Sequence, residues 1–415
     1  MFDLLLRRAR FSGEPCTADL AVQDGRIAAR APGLRGPARR EIDLGGRLVI
    51  PAFVESHLHL DLALMNPREL PGRPEPYLSH YGLNETLERR RKTFTRADIE
   101  ARASRAVETA SRHGVVAMRV QCHVDPQVRL DHLDALLAVR EQYHHRMKIQ
   151  IVTFPQQGLC RHPGTLDIFR EAFDRGADVM GCASNLDRGV PFREHIDVAF
   201  ELAVELGVDL DAHADLGIPW EIGLEDLEIV HLAHRTMEYG YHGRVTAAHV
   251  CALDSLNPQD AARAIQAVRA AGMHIVSQPD LYRLGRNDQR HVRRGLTRVK
   301  ELLAAGVNVA YASNNVQDAL RPMGNFDLLE EGMILAYGAH MDTIEQLETL
   351  LRMSTTNAAK ILGLKDFEVE VGNEANLVIL DAPSPSAAIV HQAEKLYVIR
   401  AGRIVAANTR ASQLF

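Results

Sequence analysis

The sequence lacks the features that mark membrane proteins and nucleic-acid-binding proteins. It contains no run of about 18 consecutive apolar residues, which excludes a transmembrane helix. Lys and Arg number 48 against 54 Asp and Glu, a formal net charge of −6, and no long basic run occurs. Binding to nucleic acid usually leaves such a basic patch in the sequence. We therefore expect no membrane and no nucleic acid among the partners.

Cysteine is also scarce. The five cysteines are scattered, odd in number and never form a CxxC pair, a pattern that fits a reducing compartment better than a disulfide framework. The N-terminal stretch MFDLLLRRARFSGEP has its apolar run before its arginines, the reverse of a secretory signal. We therefore expect a cytoplasmic protein.

Apolar residues are plentiful enough for a large core. Hydrophobic residues make up 46% of the chain and charged residues 25%, close to the average of globular proteins. The 415 residues would suggest two or three domains of ordinary size, but α/β barrels are longer as single units.

The two ends of the chain have the same pattern. Residues 1–50 and the last fifty alternate apolar and polar side chains between glycine-containing turns, which predicts short β-strands. The phrases DGRIAA near residue 24 and AGRIVAA near residue 401 suggest equivalent hairpins, although both are common turn sequences. We predict that residues 1–50 and 366–415 pair into one composite β-domain, with the rest of the fold in residues 51–365.

Residues 51–365 alternate between strand-like and helical patterns. Runs rich in β-branched residues are separated by amphipathic segments such as 95–113, 192–206 and 296–305, which is typical of parallel βα units. The eight runs are 48–55, 115–122, 149–154, 178–182, 208–212, 244–248, 274–277 and 307–312. Eight such units favour a closed (β/α)₈ TIM barrel, and a doubly wound open sheet is the main alternative.

Polar side chains follow five of these runs. In a barrel enzyme the site forms at the carboxyl ends of the strands. His57 and His59 follow the first run, Gln156 the third, His213 the fifth and His249 the sixth. The eighth run ends in Ser313-Asn314-Asn315. The pattern therefore brings metal-competent groups to one face of the barrel.

Histidines at these positions predict a metal site. His57 and His59 are two residues apart, so both side chains point the same way, and imidazole suits Zn²⁺ or Fe²⁺. With His213 as a third ligand, one position stays open for the water that a catalytic metal activates. Hydrogen bonding of His57 and His59 to backbone at the barrel mouth is the alternative interpretation.

Several segments together resemble a known family. PAFVESHLHLD, IQIVTFPQQG, DLDAHAD, VTAAHV, RRGLTRVKELLAAGVNV and VGNEANLVIL resemble the amidohydrolase superfamily, and within it the cytosine deaminases and N-isopropylammelide aminohydrolases. The resemblance covers nearly the whole chain. It implies a metal-dependent (β/α)₈ barrel with a composite β-domain from both termini. It also implies that the substrate is a small molecule, a nitrogen heterocycle that is deaminated by hydrolysis.

The resemblance also implies roles for individual residues. His57, His59 and His213 match the histidine metal ligands of the family, and His249 matches the strand-six histidine that polarises the attacking water. Gln156 matches a glutamine that hydrogen-bonds the amide edge of the ring, which a side-chain amide can do as donor and acceptor. A simple loop hydrogen bond is an equally good reading of Gln156.

Two positions depart from the family pattern. Asn314 stands where the family has a metal-binding aspartate that shuttles a proton, and Leu216 stands where the deaminases have a glutamate. An amide cannot accept that proton, and its carbonyl oxygen is an uncharged, weaker ligand. We therefore expect one divalent ion, Zn or Fe, that is weakly bound, with Asn314 as its fourth protein ligand.

Other carboxylates lie near the motifs. Asp215 is next to Leu216, Asp318 follows Asn314 by four residues, and Asp61 and Asp125 follow the first and second strands. Asp215 and Asp318 are candidates to replace the missing carboxylates, and Asp61 and Asp125 are candidates to orient a histidine. For each of them, helix capping or a position in a solvated loop is the alternative interpretation. We assign Asp318, with Gln156, to substrate binding.

Two hypotheses of different classes follow. The first is a hydrolase that cleaves a C–N bond of a pyrimidine, triazine or cyclic ureide, with His249 as catalytic base. The second is a vestigial, non-catalytic barrel that binds a heterocycle, because both family carboxylates are absent; a C–N lyase or isomerase is a third outcome. Substrate choice is expected from the loops at 66–94, 279–294 and 315–327. The sequence leaves a homo-oligomer open.

Overall fold

The structure is a computed structural model and describes residues 1–66, 80–216, 222–278 and 296–414. Residues 67–79 and 279–294, which belong to two of the loops expected to choose the substrate, lie outside the described residues.

Sixteen strands are present in the described chain. They are β1 (Phe2–Ala9), β2 (Ala18–Gln23), β3 (Arg26–Ala31), β4 (Ala38–Asp43), β5 (Leu48–Pro51), β6 (Phe53–Leu58), β7 (Val115–His123), β8 (Lys148–Phe154), β9 (Val179–Cys182), β10 (Asp209–Ala214), β11 (Val245–His249), β12 (His274–Ser277), β13 (Asn308–Tyr311), β14 (Leu377–Leu380), β15 (Lys395–Arg400) and β16 (Arg403–Ala407).

α-Helices lie between the central strands and after the last of them. They are α1 (His80–Arg91), α2 (Arg96–Arg112), α3 (Asp131–Tyr143), α4 (Thr165–Arg175), α5 (Phe192–Leu206), α6 (Glu228–Glu238), α7 (Pro258–Ala270), α8 (Val299–Ala304), α9 (Leu328–Ala339), α10 (Ile344–Met353), α11 (Thr356–Ile361) and α12 (Pro385–Val390). Within the described ranges, no helix is long and apolar enough to cross a membrane.

The central sheet is the predicted barrel. Strands β6 to β13 are parallel and pair in chain order, and a bridge between Leu58 and Asn314 joins the first strand to the segment after the last. A doubly wound sheet would reverse its strand order at a switch point, which this sheet does not do. The TIM-barrel prediction is confirmed and the open sheet is excluded.

The first predicted barrel strand was too long. Residues 48–55 form two elements: β5 pairs antiparallel with β14 outside the barrel, and only β6 enters it. Pro51 ends β5 and has no N–H to donate to either sheet, so the chain changes sheets there. Apolar periodicity continues across Pro51, which is why the pattern alone did not show the break.

Two small sheets pack together beside the barrel. One has the order β3-β2-β1-β4 and the other β16-β15-β14-β5, and one cluster of apolar side chains from both ends of the chain fills the space between them. The two similar hairpin turns meet: a Cβ on Gly402 would lie 2.8 Å from Gly25 Cα, so only glycine fits there. The domain limits at residues 50 and 366 remain a prediction.

The helix predictions agree closely with the observed bounds. In α2 the Thr95 side chain accepts a hydrogen bond from the Asp98 N–H (3.2 Å) and so caps the start of the helix predicted over 95–113. The predicted helix 192–206 is α5. The segment 296–305 forms the shorter α8.

Candidate active site

Three histidine rings converge at the carboxyl end of the barrel. His57 and His213 belong to β6 and β10, and His59 follows β6 directly. His213 Nε2 lies 3.2 Å from His57 Nε2 and 3.1 Å from His59 Nε2. All three residues are buried. The predicted ligands therefore lie together, with their Nε2 atoms pointing at one another.

This donor set fits a divalent metal ion. His213 Nε2 carries either one hydrogen or one lone pair, so only one of its two close contacts, to His57 or to His59, can be a well-formed hydrogen bond. Nitrogens bound to one ion at about 2.1 Å lie about 3.0–3.4 Å apart, which is the separation found here. Burial and the neighbouring His57 lower the pKa of His59 well below its ordinary value, which keeps the ring neutral and able to ligate.

A buried charge network lies behind His57. Asp211 Oδ1 is 3.5 Å from His57 Nδ1 and accepts a hydrogen bond from Gln121 Nε2 (3.1 Å). Its other oxygen, Oδ2, is 3.1 Å from the Arg119 guanidinium. Burial raises the pKa of the Asp211 carboxyl, but His57 and Arg119 outweigh it and hold that pKa below its usual value. A carboxylate in this place fixes the ring orientation of a histidine ligand.

His249 completes the group of rings. It is the last residue of β11, is buried, and its ring centroid lies 5.1 Å from that of His213 and 5.8 Å from that of His57. Its backbone is left-handed, with φ of 72°, an unusual conformation for a non-glycine residue at a strand end. Such strained positions are common at functional sites.

The two positions that depart from the family pattern both face the site. Leu216 and Asn314 line the same cavity as His249. The Asn314 N–H donates to His57 O (3.0 Å), and the His59 N–H donates to Asn314 O (2.8 Å), so Asn314 holds the end of the barrel next to the ligands. Its φ of 60° suits Asn and Asp better than most residues.

The cavity has no carboxylate among its described lining. Gln156 follows β8 and lines it, as predicted. The described lining consists of His59, Leu62, Leu87, His123, Phe154, Gln156, Asn185, Leu186, His213, Leu216, His249, Asn314, Asn315 and Leu320. The titratable side chains among these lining residues are therefore all imidazoles.

Asp318 has different surroundings from those predicted. Its Oδ1 accepts the N–H groups of Leu320 and Arg321 (both 2.8 Å), and its Oδ2 accepts from Asn315 Nδ2 (2.6 Å). It is buried and absent from the described cavity lining. The geometry gives Asp318 the role of holding this loop, and its assignment to substrate binding stays a prediction.

The other candidate carboxylates are also engaged by protein groups. Asp215 accepts the N–H groups of Glu228 (2.7 Å) and Ile229 (3.1 Å) and so caps α6. Burial and then the nearby Glu228 raise the pKa of Asp215 well above its usual value. Asp125 bonds the buried Arg91 guanidinium (2.6 Å). Neither residue lines the cavity in the described structure.

Sequence reasoning missed His123 and the residues below it. His123 ends β7 and lines the cavity, but the predicted strand stopped one residue earlier, at 122. Gln121 and Arg119 precede His123 at intervals of two, and Asp211 precedes His213 by two. The alternation of side chains along a strand was the signal that would have placed these groups inside the barrel.

A (β/α)₈ barrel with a metal-competent histidine cluster at its carboxyl end defines the class of the protein as a metal-dependent barrel enzyme. Comparison with known proteins gives the family. The model of the Amidohydrolase family matches residues 71–406. The chain therefore belongs to the amidohydrolase family, which confirms the resemblance seen in the sequence and makes the chain a hydrolase of C–N bonds.

Individual relatives are similar over nearly their whole length. The N-isopropylammelide isopropyl amidohydrolase of Pseudomonas sp. (strain ADP) is 30% identical over 97% of both chains. The pterin deaminase of Rhizobium rhizogenes is 29% identical over 94% of this chain and 87% of its own. The structure of 5-methylcytosine deaminase from Klebsiella pneumoniae, with 5-fluorocytosine bound, has a TM-score of 0.90, 29% identity and 99% coverage of both chains.

Proposed function

We propose that this chain hydrolyses an exocyclic or ring C–N bond of a small nitrogen heterocycle, such as a pyrimidine, a triazine or a cyclic ureide. The observation that carries the proposal is the convergence of His57, His59 and His213 next to a cavity that also contains His249 and Gln156. Relatives similar over most of their length are named for an ammelide, a pterin and a methylcytosine, all of them nitrogen heterocycles.

The three Nε2 atoms would hold one divalent ion, with the amide oxygen of Asn314 as a neutral additional ligand. Bound there, the ion supplies an acidified water as nucleophile near neutral pH. We propose Zn or Fe, because imidazole suits both. Since Asn314 adds no negative charge, we expect weaker binding than an aspartate would give at this position.

His249 is the proton-transfer group in this proposal. The described cavity lining has no carboxylate, and the other non-ligand imidazole there, His123, is held by Asp61 and Gln156. His249 would accept a proton from the attacking water and deliver it to the leaving nitrogen. General acid–base help of this kind is worth roughly 10²–10⁴-fold in rate.

The remaining cavity side chains orient the ligand and keep water out. Phe154, Leu62 and Leu216 give the cavity apolar walls, and Gln156 offers an amide to one edge of a ring. We propose a cytoplasmic location, and the five cysteines form no disulfide among the described residues. A homo-oligomer stays a prediction.

A direct assay tests this function. Wild-type protein loaded with Zn²⁺ or Fe²⁺ is incubated with pyrimidines, triazines and cyclic ureides. Release of ammonia or amine reports cleavage of an exocyclic C–N bond, and mass spectrometry of the ring-opened product reports cleavage of a ring C–N bond. His213→Gln should abolish turnover, whereas His144→Gln, at an exposed histidine outside the cavity lining, should leave it unchanged. Absence of product from every compound with the metal-loaded wild type would contradict the proposal.

The second candidate is a heterocycle-binding barrel without turnover. The observation that favours it is that Asn314 and Leu216 both face the cavity, so no described carboxylate is there to carry a proton. It predicts binding of a heterocycle with no product after long incubation. The double variant Asn314→Asp and Leu216→Glu tests this candidate further. If the double variant forms product, only the proton-transfer groups were missing.

A further inference from the structure

A second cavity lies outside the one that contains the histidine rings. We call it the outer cavity and the first one the inner cavity. The outer cavity has a volume of about 470 Å³, which is within the range of small-molecule sites. Gln156 and Leu186 line both cavities, so the two adjoin at these residues. A substituent on a ring in the inner cavity therefore has room to extend into the outer one.

Most of the charged side chains in the described lining of the outer cavity are basic. They come from three separate parts of the fold: the end of α1, the loop after β8 and the segment after β9. They are Arg89, Lys92, Arg161, His162 and Arg188. The carboxylates in this lining are Glu85 and Glu88, so with His162 neutral four positive charges meet two negative ones. Because the whole chain has a formal net charge of −6, this positive excess is a local feature.

Several of these positive charges are not used by the protein itself. Arg89, Lys92 and Arg161 are exposed, and within the described ranges none of them forms an ion pair. Glu88, by contrast, is engaged, because its Oε2 accepts hydrogen bonds from the buried Arg91 guanidinium (2.8 and 3.1 Å). A concave surface lined mainly by one sign of charge concentrates its potential and attracts ligands of the opposite sign. The outer cavity is therefore suited to an anion.

A buried carboxylate joins two of the basic segments. Asp187 directly precedes Arg188 and is 1% exposed. Its Oδ2 accepts the backbone N–H of Cys160 (2.8 Å), the residue directly before Arg161. Gly158 makes room for this contact, because a Cβ there would lie 2.3 Å from Asp187 Oδ1. The segments that carry the two arginines are thus held together before any ligand binds, which lowers the cost of ordering them around one.

We propose that the outer cavity binds an anionic group, a carboxylate or a phosphate, on the heterocycle whose ring occupies the inner cavity. Guanidinium groups recognise both anions through planar pairs of N–H donors. A neutral heterocycle leaves the basic side chains to solvent, so acid-bearing heterocycles are the substrate class that fits both cavities. This inference rests on the proposed function, because it assumes that a heterocycle binds in the inner cavity.

Matched probes isolate the charge of the substituent. 5-Carboxymethylcytosine is compared with its carboxamide, which has nearly the same shape and no charge. A triazine that carries the same two groups provides a second pair. 5-Phosphonomethylcytosine represents the phosphate class, and the tighter binding of the carboxylate or the phosphonate identifies the preferred anion.

Matched double variants isolate the cavity. Arg89→Gln and Arg161→Gln are combined, because these residues are exposed and line the outer cavity from two different elements. The control combines Arg105→Gln and Arg269→Gln. It removes the same charge from exposed positions that are absent from the described lining.

Calorimetry on the metal-loaded protein at low ionic strength gives the ratio of the affinities for acid and amide. One exposed ion pair changes an affinity by up to about fivefold, so several together predict a preference for the acid of at least about tenfold. The control should keep this preference, and in Arg89→Gln/Arg161→Gln the ratio should fall toward one. Added salt should also reduce the ratio in the wild type, because it screens exposed charges.

Four results would overturn the inference. The wild type could bind acid and amide equally, or bind neither. The two double variants could lose the preference equally, which would indicate the net charge of the surface and not this cavity. A preference unchanged in Arg89→Gln/Arg161→Gln would place the acid group elsewhere, for example on the metal.

Turnover of the same compounds separates this inference from the proposed function. Product from the neutral compounds without a preference for the acid would overturn the inference and leave the proposed function standing. A preference for the acid that depends on Arg89 and Arg161, with no product from any compound, would support the anion site and contradict hydrolysis.

Discussion

The charge network behind His57 offers a sharp quantitative prediction. Asp211 is fully buried and lies between the Arg119 guanidinium (3.1 Å) and His57 Nδ1 (3.5 Å). Asp211→Asn preserves the shape of the side chain and removes its charge. Two separable losses should follow, one in folding stability and one in metal affinity.

The magnitudes come from the two partners of Asp211. Arg119 is 1% exposed, so without Asp211 its charge is buried and uncompensated, which typically costs about 3–5 kcal/mol of unfolding free energy. The amide oxygen of Asn can still accept a hydrogen bond from Arg119, so we expect the lower end, about 3 kcal/mol. Loss of the carboxylate that orients a ligating histidine typically weakens metal binding by about 10–100-fold, or about 1.4–2.8 kcal/mol.

Two assays separate the losses. Urea unfolding of the metal-free protein reports the Arg119 pair, and competition with a chelator reports the metal affinity of the folded protein. Asp209→Asn is the matched control, since Asp209 lies on the same strand but pairs with Arg244 (2.7 Å) where both side chains are about one-third exposed. It should cost less than about 1 kcal/mol and leave metal binding unchanged.

An Asp211→Asn variant as stable as Asp209→Asn would refute the inference that Arg119 depends on Asp211. Unchanged metal affinity in a folded Asp211→Asn variant would refute the role of Asp211 in orienting His57.

Three further predictions concern pH, the metal and packing. Burial lowers the pKa of His274 to about 4, and its neutral ring accepts from Asn308 Nδ2 (3.1 Å). The folded state then binds fewer protons than the unfolded state between about pH 6.5 and 4, so stability falls as pH falls through that window, by up to about 3 kcal/mol. Urea unfolding of His274→Gln at pH 7.5 and 4.5 should show a smaller pH dependence than the wild type, and equal dependence contradicts this. Asn314→Asp adds a negatively charged side chain in a backbone conformation that Asp tolerates. Competition with a chelator should therefore show metal binding at least about tenfold tighter than in the wild type. Weaker binding would exclude residue 314 from the metal ligands. A Cβ on Gly181 would lie 1.9 Å from Thr153 O, so Gly181→Ala should destabilise the barrel by more than about 3 kcal/mol, and a thermal unfolding midpoint equal to that of the wild type would contradict this contact.

The sequence predicted the barrel and the meeting of its histidines because both depend on local patterns. Parallel strands bury both faces and so appear as continuous apolar runs. The histidines that follow those runs lie at the same carboxyl end of the barrel. The family resemblance then placed His57, His59, His213, His249 and Gln156, all of which the structure brings to one end of the barrel.

Other features depend on contacts that no local pattern encodes. The change of sheet at Pro51 is set by pairing with β14, more than 300 residues away in the chain. Asp318 was assigned to substrate from its sequence distance to Asn314, but backbone N–H groups of its own loop use its Oδ1. His123 became visible as a cavity residue only when β7 proved one residue longer than predicted.

Metal content per chain tests the central claim most directly. We expect elemental analysis of wild-type protein, purified without added metal, to find Zn or Fe at up to one equivalent per chain. After identical chelator dialysis and reloading with one equivalent, the wild type should regain the ion, and His213→Gln should not. His144→Gln, at an exposed histidine, should behave as the wild type. Equal metal content in His213→Gln and the wild type after reloading would contradict the assignment of the histidine cluster as the metal site.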